Sequence, residues 1–455
     1  MQIQFDSFRC FKSTAMIPIK PITLLVGENS SGKTSFQAGL KFMLSLNAFN
    51  PATFNSPPFQ LGGFDDIAFS TVGRYGSRSK TFALRVRLDK TEYDRSGPLT
   101  IAKKPPPTLE YQLIFSEWLS QPALDSFCIF TKGLSIKIDL LTQAAVFSKD
   151  EEREVALEFS ARTEPFLKSL RHSPGSIGSL LSSMQMVSYD NSHALDTGLF
   201  KKANINPKLL EKYNDLLRTA ASLFFNTGIV RDVVAFAPIR SEPRRTYDIL
   251  EDAVGNTTTG GHVPAALAQA KLRDETRWKA DKEYLVKFGR NSGLFKNIDI
   301  RRLGSSQTDP FQIMLSLGGN KHNIVDVGYG VSQALPLLYE MAPAKQPKFL
   351  LLQQPEVHLH PRAQAQLGVA IVDAYRSSKH KFIIETHSDY IIDRIRNSIR
   401  LGQVTTDDVS ILYFDRRSSD TRISVIELDK GGNIINPPEN YRNFFFKETR
   451  DLLGI

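Results

Sequence analysis

Only two of the 455 residues are cysteine, Cys10 and Cys128, and neither stands in a CxxC or Cys/His metal spacing. That excludes a disulfide framework and a thiolate zinc site; two lone cysteines read as small buried apolar residues. No apolar run approaches the roughly 18 residues a membrane helix needs, so no span and no membrane partner is expected. No repeat of about 20–50 residues and no sustained heptad is present, which excludes a solenoid and coiled-coil arms. Near the start, Arg9, Lys12 and Lys20 sit among alternating apolar residues, a strand pattern and not a basic start followed by an apolar signal core. The expectation is a cytoplasmic protein in a reducing compartment.

What is present is an ordinary globular balance, 41% hydrophobic and 23% charged. A chain this long buries a large core without staples, and its length gives a prior of about three domains. Lys plus Arg is 57 and Asp plus Glu is 48, so 57 − 48 leaves +9. That excess permits an acidic partner or nucleic acid and says nothing of fold.

Residues 1–26 read as short strands, and ITLLVG (22–27) is an apolar run ending in glycine. SFQAGLKFML (35–44) follows with helical spacing, Phe36, Leu40, Met43 and Leu44 sharing a face. Residues 78–148 alternate as a β-meander, interrupted by the stiff KKPPPT loop (103–108). Residues 207–225 read as a helix with proline in its first turn, and 252–264 as a glycine-rich loop. The tract 271–302 holds ten Lys/Arg and five Asp/Glu, either a solvated helix face or a surface for a polyanion. From 311 onward strands return, with a helix at 363–378 between two of them, which implies a parallel crossover. The expected division is 1–150, a largely helical insertion at 151–310, and 311–455, in an α/β fold.

Four segments carry chemistry. Gly27-Glu28-Asn29-Ser30-Ser31-Gly32-Lys33-Thr34 fits G-x-x-x-x-G-K-[ST] between an expected strand and helix. Its glycines let backbone N–H groups face phosphates, and the helix that starts there adds the positive end of its dipole. Lys33 would reach the β- and γ-phosphates of ATP, and Thr34 would ligate Mg²⁺. The second segment, Phe349 to Glu356, is a buried strand ending in Gln353-Gln354-Pro355-Glu356. Many P-loop ATPases hold two acids there; here both are glutamine, which orients water but takes no proton, and Glu356 is the nearest carboxylate. The third, Asp326 to Gln333, is a glycine-rich turn before an apolar helix, a second anion-binding helix start when the other motifs accompany it. The fourth is His387, at a strand end, where an imidazole can meet a γ-phosphate or the attacking water.

Together these segments resemble the ABC-type ATPase heads of the SMC, RecF and OLD relatives, and more closely the bacterial AAA15/AAA21-like ATPases. The resemblance covers 1–70 and 310–455 well and 230–250 loosely; AFAPIRSEPRRTY (235–247) is similar to a segment of that group. It implies an ABC-type head, a P-loop core sheet plus an antiparallel β subdomain. It implies that 27–34 with Ser35 is Walker A, and that Gln60 is a Q-loop glutamine beside the metal. It further implies that Gly330, Ser332 and Gln333 belong to the signature, Ser332 reaching a partner's γ-phosphate. Gln353 takes the Walker B metal position, and Gln354, Glu356 and His387 are the remaining catalytic candidates. His358 and His360 fall in a dimer-contact D-loop and not in a metal site.

Relatives carry a carboxylate at 353, so either hydrolysis is weak in this protein or Gln353 is a Glu→Gln substitution that traps ATP; the residues leave both open. The 68 residues after His387 lack the spaced acids of a two-metal nuclease, and Asp415 and Asp420 read as a solvated turn. The resemblance implies an ATP-gated homodimer or higher oligomer that senses a phage protein and controls a separately encoded effector in antiphage defence. Two alternatives stand beside it: a RecF-like clamp on DNA, favoured by the basic tract, and a non-hydrolysing scaffold, favoured by Gln353.

Overall fold

The computed structural model describes residues 1–46, 52–71, 76–90, 106–150, 152–189, 207–225, 232–250, 257–306, 308–343, 347–438 and 441. The proline tract 103–108 and the loop 252–264 fall partly outside these. The chain forms two compact units. The first takes Met1–Ile19, Asn29–Arg231 and Arg416–Ile423; the second takes Lys20–Glu28, Asp232–Asp415 and the chain from Ser424 onward.

The first unit is built on a nine-stranded sheet. Its strands are β1 (Gln2–Phe8), β2 (Phe11–Ser13), β3 (Ile17–Pro18), β5 (Thr81–Asp89), β6 (Thr108–Trp118), β7 (Gln121–Thr131), β8 (Leu134–Asp139), β9 (Ala144–Lys149) and β10 (Glu152–Glu158). They pair in the order β10-β9-β8-β7-β6-β5-β1-β2, all antiparallel, with β3 against β1. In β6 buried and half-buried residues alternate through most of the strand, the signature of a sheet with one covered face. Helix α1 (Lys33–Leu44) buries Phe36, Leu40, Met43 and Leu44, the stripe its spacing predicts. Phe42 of α1 stacks on Phe54 at 4.0 Å and meets Phe115 of β6 edge-on at 5.7 Å, so helix and sheet share an aromatic core. A short helix α2 (Phe64–Ile67) and helices α3 (Glu164–His172), α4 (Ile177–Tyr189) and α5 (Pro207–Phe225) complete this unit.

The second unit carries a parallel sheet. Its strands are β4 (Ile22–Gly27), β11 (Val233–Phe236), β15 (Phe349–Gln353), β16 (Lys381–Glu385), β17 (Val409–Arg417), β18 (Asp420–Leu428) and β19 (Ile434–Ile435), in the order β11-β15-β16-β4-β17-β18-β19. The first five run parallel. β15 is buried at every position, as expected of a strand covered on both faces. Helix α9 (Pro361–Ser378) makes the crossover from β15 to β16, and α10 (Asp389–Arg400) that from β16 to β17. Helices α6 (Val263–Arg273), α7 (Glu275–Ser292) and α8 (Tyr329–Met341) and a small antiparallel sheet of β12 (Asn297–Arg302), β13 (Phe311–Ser316) and β14 (Lys321–Asn323) fill the rest. Helix α7 is closed at both ends: Asp274 caps the Arg277 N–H, and Gly293 ends it at φ 81°.

This division differs from the expected one. The boundary at 150/151 falls in the turn of the β9–β10 hairpin, and that at 310/311 separates β12 from its partner β13. The segment 151–310 is helical over much of its length, yet it also supplies β10 to one sheet, β11 to the parallel sheet and β12 to the small one. Register pairing across the sequence joins what local pattern had separated.

Candidate functional site

The loop between β4 and α1 is shaped by three left-handed residues, Gly27 at φ 141°, Ser30 at φ 60° and Gly32 at φ 102°. At Gly32 a Cβ would stand 2.4 Å from the Cys10 sulfur and 3.2 Å from the Phe11 ring, so both the backbone angle and the space require glycine. Cys10 packs under the loop, and burial pushes its thiol up, which suits a packing residue and not a nucleophile. Arg416 donates to the Ser30 carbonyl at 3.0 Å, and Arg9 reaches the Ser35 hydroxyl at 3.4 Å. Lys33 is 3% exposed and Ser31 1%, whereas Glu28, Asn29, Ser30 and Thr34 are exposed. Helix α1 begins on Gly32 with no side-chain cap and no acidic residue in its first turn. Such a start accommodates a triphosphate, since the N-terminal N–H groups have no carboxylate of their own helix as a competitor. Gln60 is exposed in the first unit.

In the parallel sheet the register sets Gln353 of β15 opposite Glu385 of β16, Glu385 opposite Leu25 of β4, and Gly27 opposite Phe414 of β17. The start of the glycine loop therefore lies in one row with the ends of β15 and β16, the carboxyl edge where parallel sheets take ligands. Gln353 is 5% exposed and its Nε2 has no hydrogen-bond partner. Gln354 turns at φ 41° and its N–H donates to the Glu385 carbonyl at 2.7 Å, fixing the exit of β15 to the end of β16. Glu356 accepts from the Thr386 hydroxyl at 2.8 Å and from the His387 N–H at 2.7 Å. Burial raises its carboxyl above the ordinary range, against these two bonds and the positive field of Arg240. His387 is exposed at the same strand end. Gln353, Gln354, Glu356 and His387 thus meet.

The residues expected to form the signature lie together at the start of α8. Gly330, Ser332 and Gln333 are all buried in the first turns of α8. Ser332 is 6% exposed and donates to the Tyr329 carbonyl at 2.7 Å. Gly330 is required by packing, since a Cβ there would stand 2.6 Å from the His358 carbonyl. The exposed tip is Gly328 and Tyr329, and Tyr329 meets the His358 ring edge-on at 4.9 Å. His358 and His360 join no metal cluster: among the described residues no group of three or more His, Cys, Asp or Glu is placed to hold an ion.

Sequence reasoning missed Arg240. It is 1% exposed, its N–H donates to Gln333 Oε1 at 3.1 Å, and its Nη2 lies 3.5 Å from the Gln353 carbonyl. Only its place in a segment similar to the resembled group could have flagged it. Four of the ten basic residues in the tract 271–302 are ion-paired within the chain. Lys271 pairs with Asp299, Lys279 with Glu275, Arg277 with Asp281 and Lys287 with Asp373, and Lys282 lies over the Trp278 ring.

A glycine-led loop at the carboxyl edge of a parallel sheet, with an antiparallel β unit in the same chain, defines an α/β P-loop ATPase fold of the ABC type. Residues 264–392 match the family described as AAA ATPase domain. That segment holds α8, Gln353, Glu356 and His387 and begins well after the glycine loop. No curated protein matches the chain. Among solved structures it is similar to an SMC head bound to the C-winged helix domain of ScpA, at 12% identity, covering 94% of this chain and 98% of that one with a TM-score of 0.47. It is also similar to an SMC head with an extended coiled coil bound to the C-terminal domain of ScpA from Pyrococcus furiosus, at 11% identity, 99% and 98% coverage and a TM-score of 0.41. The SMC head domain from Thermotoga maritima follows at 10% identity, 94% and 98% coverage and 0.40. No helix among the described residues is long and apolar enough to cross a membrane.

Proposed function

We propose that the chain binds ATP with Mg²⁺ at 27–34, turns it over slowly, and pairs with a second copy while ATP is bound. The observation that carries the slow step is the buried amide of Gln353 at the strand end where relatives hold a carboxylate. Lys33 and the N–H groups at the start of α1 would hold the phosphates, and Thr34, an exposed residue, would offer its hydroxyl to the metal. Mg²⁺, when bound, neutralises charge on the β- and γ-phosphates. The donor set suits ATP well. It suits Mg²⁺ through a hydroxyl and an amide only, which leaves the ion to the phosphates and water.

Gln353 brings no negative charge and accepts no proton. Glu356 is committed to Thr386 and His387, and it keeps His387 at the rim rather than serving as a free base. Pairing would bring the start of α8 to the partner's nucleotide, with Gly328 and Tyr329 its exposed positions and Ser332 the hydroxyl that reaches the γ-phosphate. Single-turnover hydrolysis at equal ATP occupancy tests the reading. Gln353→Glu should raise the rate by about 10²-fold, the typical worth of one electrostatic group. Equal rates would contradict the role given to residue 353. The family resemblance extends the reading to an antiphage sensor acting on a separately encoded effector. Phage challenge of cells carrying the chain with its neighbouring gene, with and without Lys33→Ala, checks that extension; protection that survives Lys33→Ala would contradict it.

A further inference from the structure

Arg240 heads the fully buried large side chains of the described residues, and it is poorly satisfied there. Its Nε and Nη1 have no partner, and its one side-chain contact is the 3.5 Å approach of Nη2 to the Gln353 carbonyl. Burial brings the guanidinium down to about 10, with Glu356 as the opposing charge. An apolar side chain of that volume would pack there at lower cost, because a buried ion is expensive unless its partners are many. What the arginine side chain does that an apolar one cannot is reach the Gln353 carbonyl and set a positive charge facing Glu356, while the main chain of the same residue, as any residue but proline could, meets α8. Its backbone N–H holds Gln333 Oε1 in the first turns of α8, and its head group lies against the end of β15 and in the field of Glu356. Glu356 in turn holds the N–H of His387. A shift of α8 at Gln333 moves the Arg240 main chain, and with it the positive charge that faces Glu356.

We infer that Arg240 is a positioning residue that couples the first turns of α8 to the Gln353–Glu356 strand end, so that occupancy at one is felt at the other and at His387. The nucleotide side of this coupling rests on the ATP-binding reading; the coupling itself does not.

Hydrogen exchange read by mass spectrometry on the full chain tests it, with and without ATP, for the parent, Arg240→Lys, Arg240→Gln and Gln333→Leu. Without nucleotide, Gln333→Leu leaves the strand end untouched in sequence, yet should speed exchange at 385–389 at least fivefold, as well as at 329–336. With ATP, the parent should slow exchange at 27–36 and at 329–336. Arg240→Gln and Gln333→Leu should keep the first effect and lose the second. Arg240→Lys retains the charge and should sit between them, which also covers a failure of Arg240→Gln to fold. Unchanged exchange at 385–389 in Gln333→Leu, or ATP effects at both segments in the Arg240 variants, would overturn the coupling. A parent with no ATP effect at 27–36 counts against the ATP-binding reading instead, and the nucleotide-free comparison still decides the coupling.

Discussion

Two helices follow neighbouring strands of the parallel sheet and begin in opposite ways. Helix α10, after β16, is closed by its own sequence: Ser388 accepts from the Ile391 N–H at 3.2 Å, and Asp389 supplies a negative charge in the first turn. Ser388 also donates to Gln364 at 2.6 Å and its N–H donates to Thr386 at 3.0 Å, so the polar groups at that start are satisfied among themselves. Helix α1, after β4, begins on Gly32 with neither cap nor acid. The chain spends a glycine and a left-handed turn on one start, and a serine and an aspartate on the other. The difference separates a helix built to take an anion from one built to stand alone.

Breaking the open start has the larger effect. Gly32→Val forces a branched residue into φ 102° and drives its Cβ into the Cys10 sulfur. It should cost about 3 kcal/mol or more in chemical denaturation, the upper range for a strained left-handed residue, and lower ATP affinity with it. A variant as stable as the parent would mean that the loop does not need this turn.

The carboxylate beside the closed start should show itself in pH. The Glu356 carboxyl is raised above its ordinary value by burial. The native state therefore holds the proton in a window where the unfolded chain has lost it, and stability falls as pH rises from about 4.3 through that window. The groups facing this carboxylate are Arg240, the Thr386 hydroxyl and the His387 N–H. Glu356→Gln removes the titration, so its stability relative to the parent should improve on going from pH 4 to 7. A difference that stays flat across that range would contradict the assignment.

Ser388→Ala, at the closed start, is the smallest change. It should lower stability by about 1 kcal/mol, the usual worth of an N-cap, and leave ATP affinity unchanged.

The open start was legible because its determinants are local. The spacing Gly27, Gly32, Lys33, Thr34 and the apolar runs on either side lie within one strand–turn–helix, where periodicity speaks directly. Ends of β15 and β16 were legible for the same reason, as continuous apolar runs terminated by polar residues. Ser332 lies in the first turns of α8, as its motif before an apolar helix implies. Residues three and four further on are Leu335 and Pro336, which place Ser332 on the apolar face, and the exposed positions are the two at the helix start. Arg240 was invisible because burial of an arginine depends on what β15 and α8 bring to it from about 100 residues away, which no local pattern carries. β11 and β12 were missed because runs of four and six residues are too short for local pattern to decide, and they become strands by pairing with β15 and β13.

The claim at the centre is that the loop leading into α1, and not the neighbouring helix start, holds the nucleotide. Calorimetric titration of ATP with Mg²⁺ into the parent, Lys33→Ala and Ser388→Ala tests it most directly. The account predicts saturable binding to the parent, the same affinity within a few-fold for Ser388→Ala, and loss of detectable binding for Lys33→Ala. Unchanged affinity in Lys33→Ala, or loss of binding in a folded Ser388→Ala, would contradict it.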